Sequence, residues 1–386
     1  MASLLPQSLR LIETLIGFDT TSRLSNLALI DFVADYLREH GVAAHKIFDA
    51  SGKKANLYAS IGPEVPGGIV LSGHTDVVPV DGQDWATPPF TATTQAGRIH
   101  GRGTADMKSF IAVVLAMVPT MLARPLRVPV HFAFSYDEEV GCLGVHGLLA
   151  LMKSGIPHPR AVIVGEPTMM RVVNAHKGIN TFRTTVTGLE AHSSATHHGV
   201  NAIQYAAEII AFLTQLGDEM RAKGGSPRFD PPYTTVHVGT IQGGTVLNII
   251  PRDCRFVWEF RGVPGQDEQE IPARLEEFVQ RRILPRMHAV SRDTGVRTET
   301  LARVAPLLPT DGSPAETLVM ALAETNETHT VAFGTEAGFF QEIGIPAVIC
   351  GPGDIAQAHR PDEFIALSQV AACEAFLHRL IDHIAA

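Results

Sequence analysis

The sequence predicts an α/β protein whose largely parallel mixed sheet is interrupted by an inserted ferredoxin-like α+β domain. Helical and strand patterns alternate through the first 176 residues and resume after about residue 305. Three continuous apolar strands, GGIVLSG, AVIVGE and IPAVICG, are typical of strands buried on both faces of a parallel sheet. The intervening segment follows the order β-α-β-β-α-β, which is the ferredoxin-like order.

The larger domain is predicted from hydrophobic periodicity and from turn signals. Leu5, Leu9, Ile12 and Ile16 recur at helical spacing and predict a first helix. The pattern predicts helices at about 5–17, 25–40, 105–121, 143–153 and 367–384, and strands at about 56–61, 68–72, 128–136 and 161–164.

The inserted domain begins with HKGINTFRTTVTG, which alternates as an amphipathic strand does. A helix at 201–216, strands at 234–241 and 254–261, a helix at about 267–288 and a strand at 296–304 follow. We therefore expect residues 1–177 and 305–386 to form one domain and residues 178–304 to form the insert.

Composition excludes several classes of function. The chain has 386 residues with 31 Lys or Arg and 40 Asp or Glu, a formal charge of −9, which argues against a nucleic-acid partner. No apolar run approaches the roughly 20 residues of a membrane span, and the N-terminal segment lacks the features of a secretory signal. Four scattered cysteines without a CxxC pair predict reduced thiols and a cytoplasmic location.

Several predicted strands run into side chains that can bind metals. The first leads to His74 and Asp76, others lead to Glu138-Glu139 and to Glu166, and the last leads through a Gly-Pro loop to His359. Open parallel sheets bind ligands at the carboxyl ends of their strands. Each feature alone has an ordinary structural explanation, but their convergence at strand ends predicts a metal site.

Eight motifs then appear in an order that resembles a known family. They are HTDVVPVDGQDW, GRGTADMKS, SYDEEVGCLG, GEPT, HSS, GGTVLNIIPRDC, GTEAGFFQ and GPGDIAQAHRPDEF. The chain resembles, from about His74 to Phe364, the dinuclear zinc amidohydrolases that include acetylornithine deacetylase, succinyl-diaminopimelate desuccinylase, aminoacylase and glutamate carboxypeptidases. The last two motifs are most similar to the acetylornithine deacetylase branch.

The resemblance implies a set of metal ligands. Asp106, in GRGTADMK, would bridge two Zn²⁺ ions, with Co²⁺ as an alternative metal. His74 and Glu166 would complete one site, and Glu139 and His359 the other. Asp76 would lie behind His74 and fix its tautomer.

The resemblance also implies the remaining catalytic and substrate-binding residues. Glu138 would stay off the metals as the general base, and His192 would donate to the oxyanion, usually across a dimer. Arg261 would bind a substrate carboxylate, and Asn248 would contact the substrate from the insert. Contacts with the substrate side chain would come from Thr335 and Glu336.

The implied reaction is metal-dependent hydrolysis of the N-acetyl amide of N2-acetyl-L-ornithine to L-ornithine and acetate in arginine synthesis. The substrate is thus expected to be a small N-acyl amino acid, and the protein a homodimer that binds neither nucleic acid nor membranes. The alternatives are another N-acyl-amino-acid hydrolase, such as a succinyl-diaminopimelate desuccinylase, a di- or tripeptidase, and a non-catalytic metal-binding protein on the same scaffold.

Overall fold

The computed structural model describes residues 5–386 and divides them into two compact units. Unit 1 comprises residues up to Ala175 together with Leu307–Thr330 and Thr335–Ala386, and unit 2 comprises His176–Pro306 with Val331–Gly334. The predicted boundaries of the insert, at residues 178 and 304, stay a prediction. The assignment of the short segment Val331–Gly334 to unit 2 had no signal in the sequence.

The first part of the chain supplies most of unit 1. Its elements are α1 (Leu5–Ile16), α2 (Leu27–Glu39), β1 (Ala44–Phe48), β2 (Ala55–Ile61), β3 (Ile69–His74), β4 (Thr93–Gln95), β5 (Arg98–His100), α3 (Lys108–Ala116), α4 (Val118–Leu122), β6 (Val130–Ser135), α5 (His146–Ser154), β7 (Ala161–Pro167) and β8 (Val173–His176).

The remaining elements complete unit 2 and then return to unit 1. They are β9 (Gly178–Thr187), α6 (Ala202–Lys223), β10 (Thr235–Gly243), β11 (Asp253–Gly262), α7 (Glu270–Phe278), α8 (Leu284–His288), β12 (Gly295–Val304), α9 (Pro314–Leu322), β13 (His329–Val331), α10 (Ala337–Glu342), β14 (Ala347–Gly351), β15 (Phe364–Ala366) and α11 (Leu367–Ile384).

An eight-stranded mixed sheet lies at the centre of unit 1, in the order β1-β2-β6-β3-β7-β14-β8-β13. The four central strands β6, β3, β7 and β14 are parallel, whereas β1 pairs antiparallel with β2, β2 with β6, and β8 with β14. All residues of β3, β7 and β14 are buried, as their continuous apolar sequences predict. The prediction of a largely parallel mixed sheet is confirmed.

The helix predicted at 105–121 is divided in two, and residues 101–107 form turns before it. Pro119 lies in the first turn of α4 and has no N–H to donate to the carbonyl of Leu115, four residues earlier. The Tyr36 hydroxyl donates to that carbonyl at 3.1 Å instead. The prediction of a single long helix was therefore wrong, because Pro119 interrupts the series of main-chain hydrogen bonds.

Unit 2 has the ferredoxin-like topology. Its antiparallel sheet has the order β10-β11-β9-β12, and α6 and α7 contact each other on one side of it. Phe256, Trp258 and Phe260 alternate along β11 and are buried with Ile209 and Leu213 of α6. The inserted α+β domain is therefore confirmed as a fold, with its own apolar core.

The four cysteines are free and buried in the described chain, which agrees with the expectation of core thiols. Among the described residues, no helix combines the length and the apolar character that a membrane span requires.

Candidate metal centre

The parallel strands of unit 1 bring the predicted metal ligands to one edge of the sheet. The neighbouring strands β6, β3, β7 and β14 all point their carboxyl ends to this edge. His74 is the last residue of β3, Glu166 lies near the end of β7, and Glu138 and Glu139 follow β6. His359 belongs to the loop after β14. Strand direction therefore explains how distant parts of the chain meet.

Asp106 lies between two groups of side chains, one at each carboxylate oxygen. Its Oδ1 is 2.9 Å from His74 Nε2, which lies 3.6 Å from Glu166 Oε1. Its Oδ2 is 3.3 Å from His359 Nε2, which lies 3.0 Å from Glu139 Oε2. The five side chains are thus close enough to surround two cations that share one carboxylate.

The tautomer of His74 follows from its main-chain contact. Nδ1 lies 3.0 Å from the main-chain oxygen of Asp76 and 3.5 Å from its Oδ1. Because a carbonyl oxygen only accepts, Nδ1 carries a proton, and Nε2 is the nitrogen that faces Asp106. A metal would bind at Nε2, which would then have given up its own proton.

The loop that carries Asp106 is held by Glu363, a residue whose role no sequence pattern predicts. The Glu363 carboxylate accepts from the backbone N–H groups of Gly103, Ala105 and Asp106 at 3.1, 2.8 and 3.0 Å. It also pairs at 2.7 Å with Arg102, which is equally buried. Strand β15 follows Glu363 directly and pairs with β5, which immediately precedes the loop, so the local sheet brings the carboxylate to these donors.

The ends of β14 and β7 lie very close together beside the centre. A Cβ at Gly351 would lie 2.0 Å from the carbonyl oxygen of Gly165, so only glycine lets the ends of β14 and β7 approach this far.

His359 adopts a φ of 64°, a conformation that residues other than glycine rarely take and that clusters at functional sites. Its side chain is 54% exposed, whereas that of His74 is 1% exposed.

The electrostatics of the centre reflect several acids buried together. Burial raises the pKa of Glu138 and Glu166 well above the ordinary range, and neighbouring carboxylates add to the shift. Burial, assisted by Asp106, raises the pKa of Glu139 to about 7. For Asp106, hydrogen bonds with His359 and His74 outweigh burial and lower the pKa.

This set of donors fits divalent cations. Carboxylates and imidazoles are the ligands that zinc accepts in sites with exchangeable positions, and buried acids of like charge require compensating cations. Ligand atoms of His74, Asp106 and Glu139 lie within 4.8 Å of one another, and so do those of His74, Glu138 and Glu166. Glu138 is therefore within reach of a cation, and its role as an uncoordinated base stays a prediction.

The two other residues of unit 1 that were predicted to contact the substrate are buried. Thr335 is fully buried and Glu336 is 2% exposed. Burial raises the pKa of Glu336 to about 7, and its Oε1 has no hydrogen-bond partner among the described residues. Contacts of Thr335 and Glu336 with a substrate stay predictions.

Three predicted residues belong to unit 2. His192 and Asn248 lie on neighbouring exposed segments, since Ser193 N–H donates to the carbonyl of Asn248 at 3.1 Å. His192 Nδ1 accepts from Ser194 N–H at 3.2 Å, so the neutral ring carries its proton on Nε2 and presents a donor there. Arg261 Nε lies 3.0 Å from Glu259 Oε1 on the same strand.

Comparison with known proteins defines the class to which this fold and centre belong. The family model for peptidase family M20/M25/M40 matches residues 70–383. The chain therefore belongs to the peptidase family M20/M25/M40, whose described members include metal-dependent hydrolases.

Two curated relatives that match nearly the whole chain carry the same name. The chain is 35% identical to the acetylornithine deacetylase of Myxococcus xanthus over 99% of both chains. It is 32% identical to the acetylornithine deacetylase of Pasteurella multocida (strain Pm70) over 98% of both chains.

Solved structures share the fold at lower identity. The metallo-carboxypeptidase Sso-CP2 of Sulfolobus solfataricus has a TM-score of 0.77 at 18% identity, with 97% of this chain and 98% of that chain covered. The dinuclear metal-binding peptidase YXEP of Bacillus subtilis has a TM-score of 0.65 at 16% identity, with 99% of this chain and 98% of that chain covered.

Proposed function

We propose that the protein is a dinuclear zinc amidohydrolase that converts N2-acetyl-L-ornithine and water into L-ornithine and acetate. The observation that carries the proposal is the placement of Asp106, whose two oxygens face the His74–Glu166 and the His359–Glu139 groups. The curated relatives, matched over nearly their whole length, support the substrate. We assign the reaction to arginine synthesis in the cytoplasm.

His74, Asp106, Glu139, Glu166 and His359 would hold two zinc or cobalt ions, which would supply Lewis-acid activation of the acetyl carbonyl and of the attacking water. Glu138 takes the proton from the attacking water and then delivers it to the departing amine nitrogen. The Nε2–H group of His192 donates to the oxygen that becomes negative. Arg261 binds the α-carboxylate of the substrate, and Asn248, Thr335 and Glu336 contact the remainder.

The test compares metals and substrates on one protein preparation. Chelator-treated protein is loaded separately with zinc, cobalt or manganese, and acetate, succinate or amino-acid release is followed from acetylornithine, succinyl-diaminopimelate and a tripeptide. We expect acetylornithine to have the highest kcat/KM. A higher value for either other substrate would replace the assignment by the corresponding alternative.

Glu138→Gln separates a hydrolase from a non-catalytic metal-binding protein. We expect this variant to retain both metals, measured by elemental analysis, and to lose at least a thousandfold in kcat because proton transfer fails. Glu324→Gln, a change at an exposed acid, is the control. Undiminished turnover in Glu138→Gln would contradict the mechanism.

We propose further that the protein is a homodimer that associates through unit 2. Strand β10 is an edge strand, and the segment after it exposes Val246, Leu247 and Ile249, with Leu247 99% exposed. Such a patch is typical of an interface. Light scattering should show that Leu247→Asp shifts the population toward monomer whereas Val290→Asp does not. A monomeric wild-type protein would refute the dimer.

A further inference from the structure

Ser22 is a buried residue in the loop before α2, and hydrogen bonds link it through Asp76 to the turn after β6. Its hydroxyl donates to Asp76 Oδ2 at 2.6 Å. Asp76 is 2% exposed, so its carboxylate depends on protein donors rather than on water.

The Asp76 carboxylate in turn holds the backbone of the turn that carries Glu138 and Glu139. Glu138 N–H donates to Oδ1 at 3.1 Å, and Glu139 N–H donates to Oδ2 at 3.3 Å. His74 Nδ1 is closer to the main-chain oxygen of Asp76 than to its carboxylate. The carboxylate therefore makes its best-formed contacts with Ser22 and with the turn.

A second connection joins the same two segments. Lys54 Nζ donates to the carbonyl oxygen of Ser22 and pairs with the carboxylate of Asp137, 2.7 Å from Oδ2. Asp137 precedes Glu138 and has a φ of 55°. Ser22 thus contacts the turn through its hydroxyl by way of Asp76 and through its carbonyl by way of Lys54.

We propose that Ser22 is a positioning residue for Glu138, acting through the carboxylate of Asp76. The inference rests on the proposed function, because it takes Glu138 as the general base. A base must stay within hydrogen-bond reach of the proton that it removes, and small displacements of a catalytic group lower the rate of the chemical step. Loss of the Ser22 hydroxyl removes a charge-assisted donor and lets the carboxylate rotate away from the turn.

The test measures kcat, KM and metal content for Ser22→Ala and Ser22→Thr, with Ser25→Ala as the matched control. Ser25 is an exposed serine whose hydroxyl contacts the carbonyl of Lys53. We expect Ser22→Ala to lower kcat about tenfold with KM and both metals unchanged, a factor that corresponds to roughly 1.4 kcal/mol. The hydroxyl of Ser22→Thr should restore most of kcat, and Ser25→Ala should equal the wild type.

A double-mutant cycle shows whether Ser22 acts through the base. In the Glu138→Gln background, we expect Ser22→Ala to cause no further loss of residual turnover. A tenfold loss that persists in that background, a loss of metal, or a wild-type kcat for Ser22→Ala would overturn the inference. If Ser22→Ala does not fold, Ser22→Cys, a weaker donor of similar volume, takes its place in the cycle.

The two proposals fail in different ways. Absence of wild-type hydrolysis on every N-acyl amino acid, or full activity of Glu138→Gln, refutes the proposed function. Inactive Glu138→Gln together with fully active Ser22→Ala refutes only the role of Ser22.

Discussion

Buried ionisable residues in unit 1 occur outside the metal centre as well, and His131 in β6 is one of them. Its Nδ1 lies 2.8 Å from the Tyr58 hydroxyl, and its Nε2 is packed against Gly68, where a Cβ would lie 2.4 Å away. Burial lowers the pKa of His131 to about 4. The ring is therefore neutral in the folded protein at pH values where an exposed histidine is charged.

The lowered pKa of His131 predicts a loss of stability in mild acid. The unfolded chain binds a proton at this ring below pH 6.5 but the folded chain does not until about pH 4, so stability falls as the pH falls through this window. His131 alone should lower the free energy of unfolding by about 2 kcal/mol when the pH is changed from 7.5 to 5. Chemical unfolding of His131→Gln should show a weaker pH dependence than the wild type. An unchanged dependence would contradict this account, and His45→Gln, at an exposed histidine of β1, controls for loss of an imidazole.

At the scale of elements, the paired strands β5 and β15 position the loop that carries Asp106. The charged pair of Arg102 and Glu363 lies in this region and is fully sealed from solvent. Removing one partner of such a buried pair costs more folding stability than the intact pair contributes, because the other charge is left buried and unpaired.

Glu363→Gln is therefore predicted to destabilise the protein by about 3–5 kcal/mol and to reduce metal affinity. The backbone donors of Gly103, Ala105 and Asp106 would lose their charged acceptor, and Asp106 would move with them. Denaturant titration and zinc competition with a chromophoric chelator measure the two effects. Glu324→Gln, which breaks an exposed pair with Arg379, should cost less than about 1 kcal/mol. Equal costs for both variants would show that the buried pair has no special role.

The sequence predicted the sheet and the edge where the ligands meet because buried parallel strands have a strong apolar signal and a common direction. Strands β1, β4, β5, β8, β13 and β15 were missed, since each has only three to five residues and is too short to show a clear apolar alternation. The roles of Glu363 and Ser22 were also missed. Asp106 and Glu363 are 257 positions apart, and no local pattern indicates which distant acid will accept from a given loop. The side-chain contact between Cys142 and Glu138, at 3.4 Å, is equally invisible in sequence spacing.

At the scale of the whole molecule, the centre joins segments from His74 to His359 and so connects much of unit 1. Buried carboxylates repel one another unless cations lie between them. Bound metal should therefore stabilise unit 1 as a whole and not only complete the active site.

Metal removal is predicted to lower the thermal unfolding midpoint by several degrees. A cation present at about a hundred times its Kd contributes roughly 3 kcal/mol of stability. Calorimetry with and without chelator should show this shift in the wild type and only a small shift in Asp106→Asn. Asp267→Asn, at an acid of unit 2, should shift like the wild type. A chelator-independent midpoint in the wild type would contradict the prediction.

The two imidazoles of the centre differ greatly in their access to solvent, since His74 is sealed and His359 is half open. The two cations would therefore exchange with the solvent at different rates. A competing chelator should strip the His359 position first and leave a singly loaded species, and refilling that species with a spectroscopically distinct ion would yield a heterometallic protein with a defined arrangement.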